Sequence, residues 1–394
     1  MLRIHPNSFG AYADKARCIR EPYHMKRRLY PMLQYRVGII GATGMVGQRF
    51  ALLLKDHPWF KVTCVAASSR SAGKTYAEAV GSRWAFKGTP IPENIAGLTV
   101  LDAAEVDSIA SLVDFVFCAV DMKKDEIRAL EERYAKAEIP VVSNNSANRH
   151  TPDVPMLIPE INGNHAEIIA AQKKRLGTQR GFIAVKPNCS IQSYVPALWA
   201  LQEFEPEQVM VCTYQAISGA GKTFDTWPEM VDNVIPYIGG EDEKSERAPL
   251  KIFGKIEGDA IVDAQGPAIS AQCLRVAASD GHMAAVSVRF KKKPTIEQIL
   301  DRWANCQPLT TGLDLPSSPK QFLHYFEDPA RPQTRLDRDT EGGMAICIGR
   351  LREDPVMDYK FVCLSHNTLR GAAGGGVLSA EYLCKMGYIT RKDV

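Results

Sequence analysis

Cys189 and His282 are the residues of this chain whose types and setting suit covalent chemistry. Cys189 lies in Lys186-Pro187-Asn188-Cys189-Ser190, after the apolar run Gly181–Val185. Ile191, Tyr194, Val195, Leu198 and Leu201 follow at helical spacing, with Pro196 as a kink point. This pattern predicts a strand-to-helix connection with Cys189 at the helix N-terminus. The positive end of a helix dipole favours thiolate over thiol, so a depressed pKa is expected. The same free N–H groups would hold an oxyanion formed by attack on a carbonyl. The bland alternative is a cysteine used as a small buried hydrophobe. His282 follows the turn signal Asp280-Gly281, between strand patterns at 271–277 and 284–290. The pattern reads as a hairpin, with Arg275 and His282 reaching one pocket near the strand ends. A lone histidine is more often structural; a cysteine nucleophile elsewhere in the chain favours a catalytic role.

The elements that must position this pair begin with a strand at Tyr35–Ile40 and the turn Gly41-Ala42-Thr43-Gly44-Met45-Val46-Gly47. A helix through Phe50, Leu53 and Leu54 follows. Strand, glycine turn and helix form the context of a dinucleotide site, where backbone N–H groups approach a pyrophosphate. A tight turn that only packs helix on strand is the plainer reading. The second strand ends in Ser68-Ser69-Arg70-Ser71-Ala72-Gly73-Lys74, and no acid occurs between Lys61 and Ala77. NAD sites usually place an acid there to bind the ribose 2′-hydroxyl; hydroxyls and Arg70 suit a 2′-phosphate, so NADP is the expected cofactor. Further β–α alternation reaches a strand at 139–143, whose end carries Asn145, Ser146 and Arg149 toward the ligand side. The fold class is therefore α/β, a Rossmann-like doubly wound parallel sheet.

Beyond Cys189 the pattern changes to α+β with a mainly antiparallel sheet. A strand at 209–216 leads to the glycine-rich loop Ser218-Gly219-Ala220-Gly221-Lys222, whose spacing is not that of a Walker loop. Glu241 and Lys244 share a face if a helix starts there. The last landmark is Ser365–Gly376, small residues opening a helix through Val377, Leu378, Tyr382 and Leu383. The expected organisation is an extension at 1–34, disordered or targeting, an NADP-binding domain at 35–186, a catalytic and dimerisation domain at 187–365, and a C-terminal helix at 366–394 that packs back on the first domain.

The chain has 394 residues and a formal net charge of +3, too small to argue for nucleic acid or an anionic membrane. Ten scattered cysteines with no CxxC pair read as reduced thiols, with no metal site expected. No run is long and apolar enough for a membrane span, and a cytoplasmic location is expected. The first 34 residues carry seven basic and two acidic side chains.

Taken together, GATGMVG at 41–47, SSRSAGK at 68–74, PNCS at 187–190, IPYIGGEDEK at 235–244, LRVAASDGH at 274–282 and SHNTLRGAAGG at 365–375 resemble the aspartate-semialdehyde dehydrogenase family, most closely its archaeal and fungal branch. The resemblance runs from Tyr35 to the C-terminus. It implies NADPH-dependent reduction of aspartyl phosphate to aspartate semialdehyde, in the pathway to lysine, threonine, methionine and isoleucine. It implies Cys189 as nucleophile and His282 as general acid–base. Gln215 would orient substrate, Arg275 would bind its carboxylate, and Asn188 would position the acyl group. Arg149 and Lys244 would hold phosphate, with Glu241 on the substrate amine or in the charge network of Lys244. Asn367 and the glycines after it, Gly371 among them, would lie against the nicotinamide half of the cofactor, and Ser218 and Gly219 would also bind the cofactor. A homodimer or homotetramer is implied. A malonyl-CoA reductase on the same scaffold is the nearest rival; an acetylglutamyl-phosphate reductase, a silent dinucleotide-binding regulator and a cysteine protease fit fewer of the landmarks.

Overall fold

The computed structural model describes residues 34–392; apart from Gln34, the extension predicted at 1–34 lies outside them. Six strands, β1 (Tyr35–Ile40), β2 (Phe60–Ala67), β3 (Val100–Asp102), β4 (Phe115–Cys118), β5 (Val141–Ser143) and β6 (Ile183–Val185), form one parallel sheet in the order β3-β2-β1-β4-β5-β6. This is the doubly wound order the alternation predicts. Val37 and Ile39 of β1 enter one apolar cluster and Ile40 the other, all fully buried. A strand covered on both faces must read as a continuous apolar run, and β1 does. Helix α1 (Met45–Leu54) leads back from the glycine turn and buries Phe50 on Phe117, ring centroids 4.4 Å apart.

The second sheet is mixed and mostly antiparallel. Its strands are β7 (Pro206–Gln215), β8 (Val234–Ile235), β11 (Ala268–Val276), β12 (His282–Phe290), β13 (Leu323–Phe326), β14 (Ile346–Glu353) and β15 (Tyr359–Ser365); β9 (Lys255–Glu257) and β10 (Ala260–Val262) pair separately. The order β13-β14-β15-β12-β7-β11-β8 corrects the hairpin expected around Asp280-Gly281. β11 and β12 are not neighbours: β7 lies between them, parallel to β11 and antiparallel to β12. The carbonyls of Ala278 and Ser279 accept from the amides of Ile217 and Ser218, so the link wraps the loop after β7 instead of closing on itself. Along β12 burial alternates strictly, with His282, Ala284, Val286, Val288 and Phe290 on the covered face. On the opposite face Met210 and Tyr214 of β7 are exposed.

This order gathers chemistry at one end of the sheet. Gln215 pairs in register with Arg275, and His282 with Ser365. The C-terminal ends of β7, β11 and β15 thus meet the N-terminal end of β12. β6 delivers Lys186–Cys189 from the first sheet. Helix α2 (Lys124–Lys136) packs against β5 and β6, and α3 (Glu241–Ile252) lies against β11. Helix α4 (Gly374–Lys385) is buried along 374–384 and places Val377, Leu378 and Leu383 in the cluster of Val37, Ile39 and Phe50. Among the described residues no helix is long and apolar enough to cross a membrane.

The long helix expected after Cys189 is absent. Ile191–Ser193 makes a single 3-10 turn, and a five-residue helix restarts at Val195. Pro196 has no N–H to give and is best accommodated in a first turn, which is where the helix from Val195 places it. Cys189 therefore precedes one short turn, and the dipole behind it is small.

Candidate active site

Cys189 Sγ lies 3.3 Å from His282 Nε2. The ring's other nitrogen, Nδ1, accepts from the Ala216 amide at 3.0 Å. That bond fixes the neutral tautomer: the proton resides on Nε2 and faces the sulfur. Burial, then the Arg275 charge, pushes His282 down to about 3, so the ring is neutral at ordinary pH. The carbonyl of the same residue, Ala216, accepts from Arg275 Nη1 at 2.8 Å. One short stretch of main chain after β7 thus orients both side chains. Gly219 closes over them: a Cβ there would sit 2.9 Å from Arg275 Nη1 and 3.0 Å from His282 Cε1. Asn367 secures this arrangement, accepting from the Gly281 amide at 2.8 Å and donating to Ser218 Oγ at 2.8 Å.

The depressed pKa expected for Cys189 is not found. Burial, then the Glu241 carboxylate, pushes the thiol up, while Lys186, Arg149 and Arg275 pull it down. The short turn at Ile191 is too weak a dipole to reverse the balance. Charge around the sulfur comes from side chains instead. Lys186 is buried with no more than its own neighbour's carbonyl, Pro187 O, at 2.7 Å, and burial pushes its ammonium well below the usual range. Arg149 donates to Lys186 O at 2.9 Å and Asn144 O at 3.2 Å.

Helix α3 begins at Glu241, and Glu241 and Lys244 pair across one turn at 2.7 Å. Burial works against the Glu241 charge, but Lys244, together with Gln215 and Arg149, more than offsets it and keeps the carboxyl below its usual range. Glu241 Oε2 also receives Gln215 Nε2 at 3.4 Å and Ser190 Oγ at 3.5 Å. Asn188 donates to Ser190 Oγ at 2.7 Å, leaving its buried Oδ1 without a partner. Cys189, His282, Arg275, Gln215, Glu241, Lys244, Asn188 and Arg149 are thereby brought into one network around the sulfur. Gly371 backs it from the far side: a Cβ there would lie 2.8 Å from the Cys189 Cβ.

A second group of residues lines a cleft of about 600 Å³ at the strand ends of the first sheet. Gly41, Thr43, Gly44, Ser68, Arg70 and Ser71 line it. Gly41 has φ +86°, and a Cβ on Gly47 would meet Gly41 O at 2.3 Å, so the turn requires glycine at both places. Ala42 is buried behind the turn, its carbonyl held by Tyr76 at 3.0 Å, while Met45 and Val46 open α1. Ser69 is exposed in the turn that closes from Ser71 N–H to Ser68 O. Asn145, half-buried, donates through Nδ2 to the buried Glu131 at 3.0 Å; Ser146 is half-buried on the same loop.

Four residues escape a reading by motif. Lys74 and Arg83 add cations to the cleft, and only Lys74 lies within a recognisable stretch. Lys186 stands first in the quoted nucleophile motif, and a lysine closing an apolar run is itself a signal. Ala216 acts through its main chain, which no residue type betrays.

The family model for the semialdehyde dehydrogenase NAD-binding domain matches residues 36–169, and that for the semialdehyde dehydrogenase dimerisation domain matches residues 198–370. An aspartate-semialdehyde dehydrogenase of Archaeoglobus fulgidus is 42% identical over 353 residues, covering 90% of this chain and 99% of that protein. One from Aspergillus fumigatus is 40% identical over 363 residues, covering 90% and 98%. The crystal structure of the Candida albicans enzyme with NADP superposes with a TM-score of 0.80 at 36% identity, over 90% of this chain and all of that one. With both family models in order along the chain and archaeal and fungal relatives matched almost end to end, the chain belongs to the aspartate-semialdehyde dehydrogenase family.

Proposed function

We propose that this protein reduces L-4-aspartyl phosphate to L-aspartate 4-semialdehyde with NADPH, through a thioester on Cys189, as a step of amino-acid biosynthesis. The observation that carries the reading is the Cys189–His282 contact at 3.3 Å, set among Arg149, Lys186, Arg275 and the Glu241–Lys244 pair. A sulfur beside the Arg149 and Arg275 charges suits attack, once ionised, on an acyl group whose leaving group is an anion. The acyl-CoA alternative draws no support from the relatives compared above.

The glycine turn and the acid-free end of β2 fit NADP. Gly41–Gly44 would hold its pyrophosphate, and Ser68, Arg70 and Ser71 its 2′-phosphate. When bound, NADPH supplies the hydride that reduces the thioester. The chain's own residues do the rest. Cys189 gives its thiol proton to solvent, attacks the acyl carbon as the thiolate, and phosphate leaves toward Arg149 and Lys244. Arg275 holds the substrate carboxylate, and Glu241 and Gln215 orient the amine end. His282 works through Nε2 alone, because Nδ1 is committed to Ala216. As a neutral donor it hydrogen-bonds the negative charge that moves between Sγ and the substrate oxygen, and that charge returns to sulfur when the aldehyde forms. This narrows the general acid–base role that the family resemblance implies.

Residues 35–186 are read as the NADP-binding domain, 187–365 as the catalytic and dimerisation domain, and those from 366 onward as a return to the first. The exposed face of the second sheet, with Met210 and Tyr214, suits pairing with a second copy in a homodimer, and a cytoplasmic location fits the proposed pathway. The direct test is NADP reduction by purified protein with aspartate semialdehyde and phosphate, with CoA replacing phosphate in a parallel assay. Turnover with phosphate and none with CoA is expected; the reverse would overturn the substrate assignment.

A further inference from the structure

Arg149 sits on a loop gripped by two buried charges. Lys251, in the last turn of α3, is 3% exposed, and its Nζ donates to the carbonyls of Arg149 at 2.9 Å, Thr151 at 2.8 Å and Val154 at 2.9 Å. An ammonium has three protons, and all three are spent on this one loop. Glu131, on α2 and fully buried, accepts from Ser143 Oγ at 2.5 Å, Asn145 Nδ2 at 3.0 Å and Asn148 Nδ2 at 2.7 Å. Arg128, one turn earlier on α2, adds a bond from Nε to Ala147 O at 2.9 Å. The loop is therefore tied through its carbonyls on one side and its side-chain donors on the other.

Burying a charge is expensive unless hydrogen bonds compensate it, and here three bonds to each group do so while fixing the loop. Here the geometry is that of the anion site. Lys244 and Lys251 are seven residues apart on α3, two turns along one face, a rise of about 10 Å. One end of the helix presents Lys244 beside Glu241; the other end holds the main chain of Arg149. The helix, with Pro249 inside it, spans the distance between the two cations.

We propose that Lys251, with Glu131, is a positioning residue that sets the separation of Arg149 from Lys244 and so tunes the site for a phosphate dianion. This rests on the reading of Arg149 and Lys244 as the phosphate ligands. Neither Lys251 nor Glu131 touches substrate; both act through the loop.

The test compares steady-state kinetics in the phosphorylating direction, with inorganic phosphate varied, for Arg149→Ala, Lys251→Met, Glu131→Gln and the double variant Arg149→Ala/Lys251→Met. Lys251→Met keeps the stem and removes the three donors. Its phosphate KM should rise roughly tenfold or more, the scale of small misplacements in a fixed site, while kcat at saturating phosphate and NADP affinity change far less. Lys251→Arg, which can still donate to carbonyls, should recover part of the loss. In the double variant Lys251→Met should add nothing to Arg149→Ala. If Lys251→Met fails to fold, Glu131→Gln carries the same expectation. An unchanged phosphate KM in Lys251→Met and Glu131→Gln, or full additivity in the double variant, overturns the inference alone provided Arg149→Ala raises that KM. If Arg149→Ala itself leaves phosphate KM unchanged, the anion-site reading falls and this inference with it.

Discussion

Replacing Gly371 with alanine tests the geometry of the nucleophile without touching its chemistry. The added Cβ would stand 2.8 Å from the Cys189 Cβ and 3.2 Å from its Cα, against about 3.4 Å for ordinary contact. One of the two segments must retreat by about 0.6 Å. The Gly371 side is the stiffer, because its amide is bonded to His366 O at 2.8 Å, that of Ala373 to Thr368 O at 3.1 Å, and the buried helix α4 begins at Gly374. Cys189 precedes only a short turn and is the side that yields. Its sulfur then loses the 3.3 Å contact with His282 Nε2, a bond with little slack. Misplacing a reacting atom by 1 Å costs on the order of a hundredfold, so a loss of roughly ten- to a hundredfold in kcat is expected. The assay is NADP reduction with aspartate semialdehyde and phosphate, beside a titration of NADPH binding by fluorescence. Binding should be retained. Wild-type kcat in Gly371→Ala would refute the steric argument, and lost NADPH binding with normal single-turnover chemistry would move Gly371 to the cofactor.

Other expectations follow from the same contacts. Arg70→Ala should weaken NADPH by roughly tenfold and leave NADH nearly unchanged, since a charge-assisted contact to the 2′-phosphate is all it removes; equal effects on both would reject the assignment. Because burial holds the Cys189 thiol above its usual range, its alkylation by iodoacetamide should be slow at neutral pH and keep rising through pH 9. Peptide mapping of the labelled site checks this, and a rate already level at pH 7 would restore the depressed thiol. His282 titrates near 6.5 when unfolded and about 3 when folded. Between those values the unfolded chain binds a proton that the native state refuses. Stability from this term is intact above pH 6.5 and is lost as pH falls toward 3. Denaturant midpoints should therefore fall less steeply with acid in His282→Gln than in the parent.

The first sheet was legible because its signals are local. β1, the glycine turn and α1 occupy consecutive residues, and a strand buried on both faces announces itself as an apolar run. The Glu241–Lys244 pair was legible for the same reason, by helical spacing alone. The second sheet was not. Strand order depends on which carbonyls and amides meet, and the Ala278 and Ser279 carbonyls go to the loop after β7, 60 or so residues away in sequence. Asp280-Gly281 is a genuine turn signal, but a turn does not say which strand the chain returns to. Pro196 warned of a kink and instead marked a restart. The Cys189 thiol was misjudged because a helix dipole was assumed where the chain makes one 3-10 turn, and because burial is a property of the folded whole. Ala216, Glu131 and Lys251 act through main chain or from a distance, and no spacing rule finds them.

Cys189 hangs from the last strand of one sheet and His282 from the first residue of a strand in the other. The bond between them is thus also a gauge of how the two sheets are docked. Mild denaturant or heat that loosens the joint, with each sheet's own ladder intact, would separate sulfur from ring before any strand melts. Activity would then decline ahead of the far-ultraviolet signal for secondary structure, and would return on dilution without refolding of either sheet.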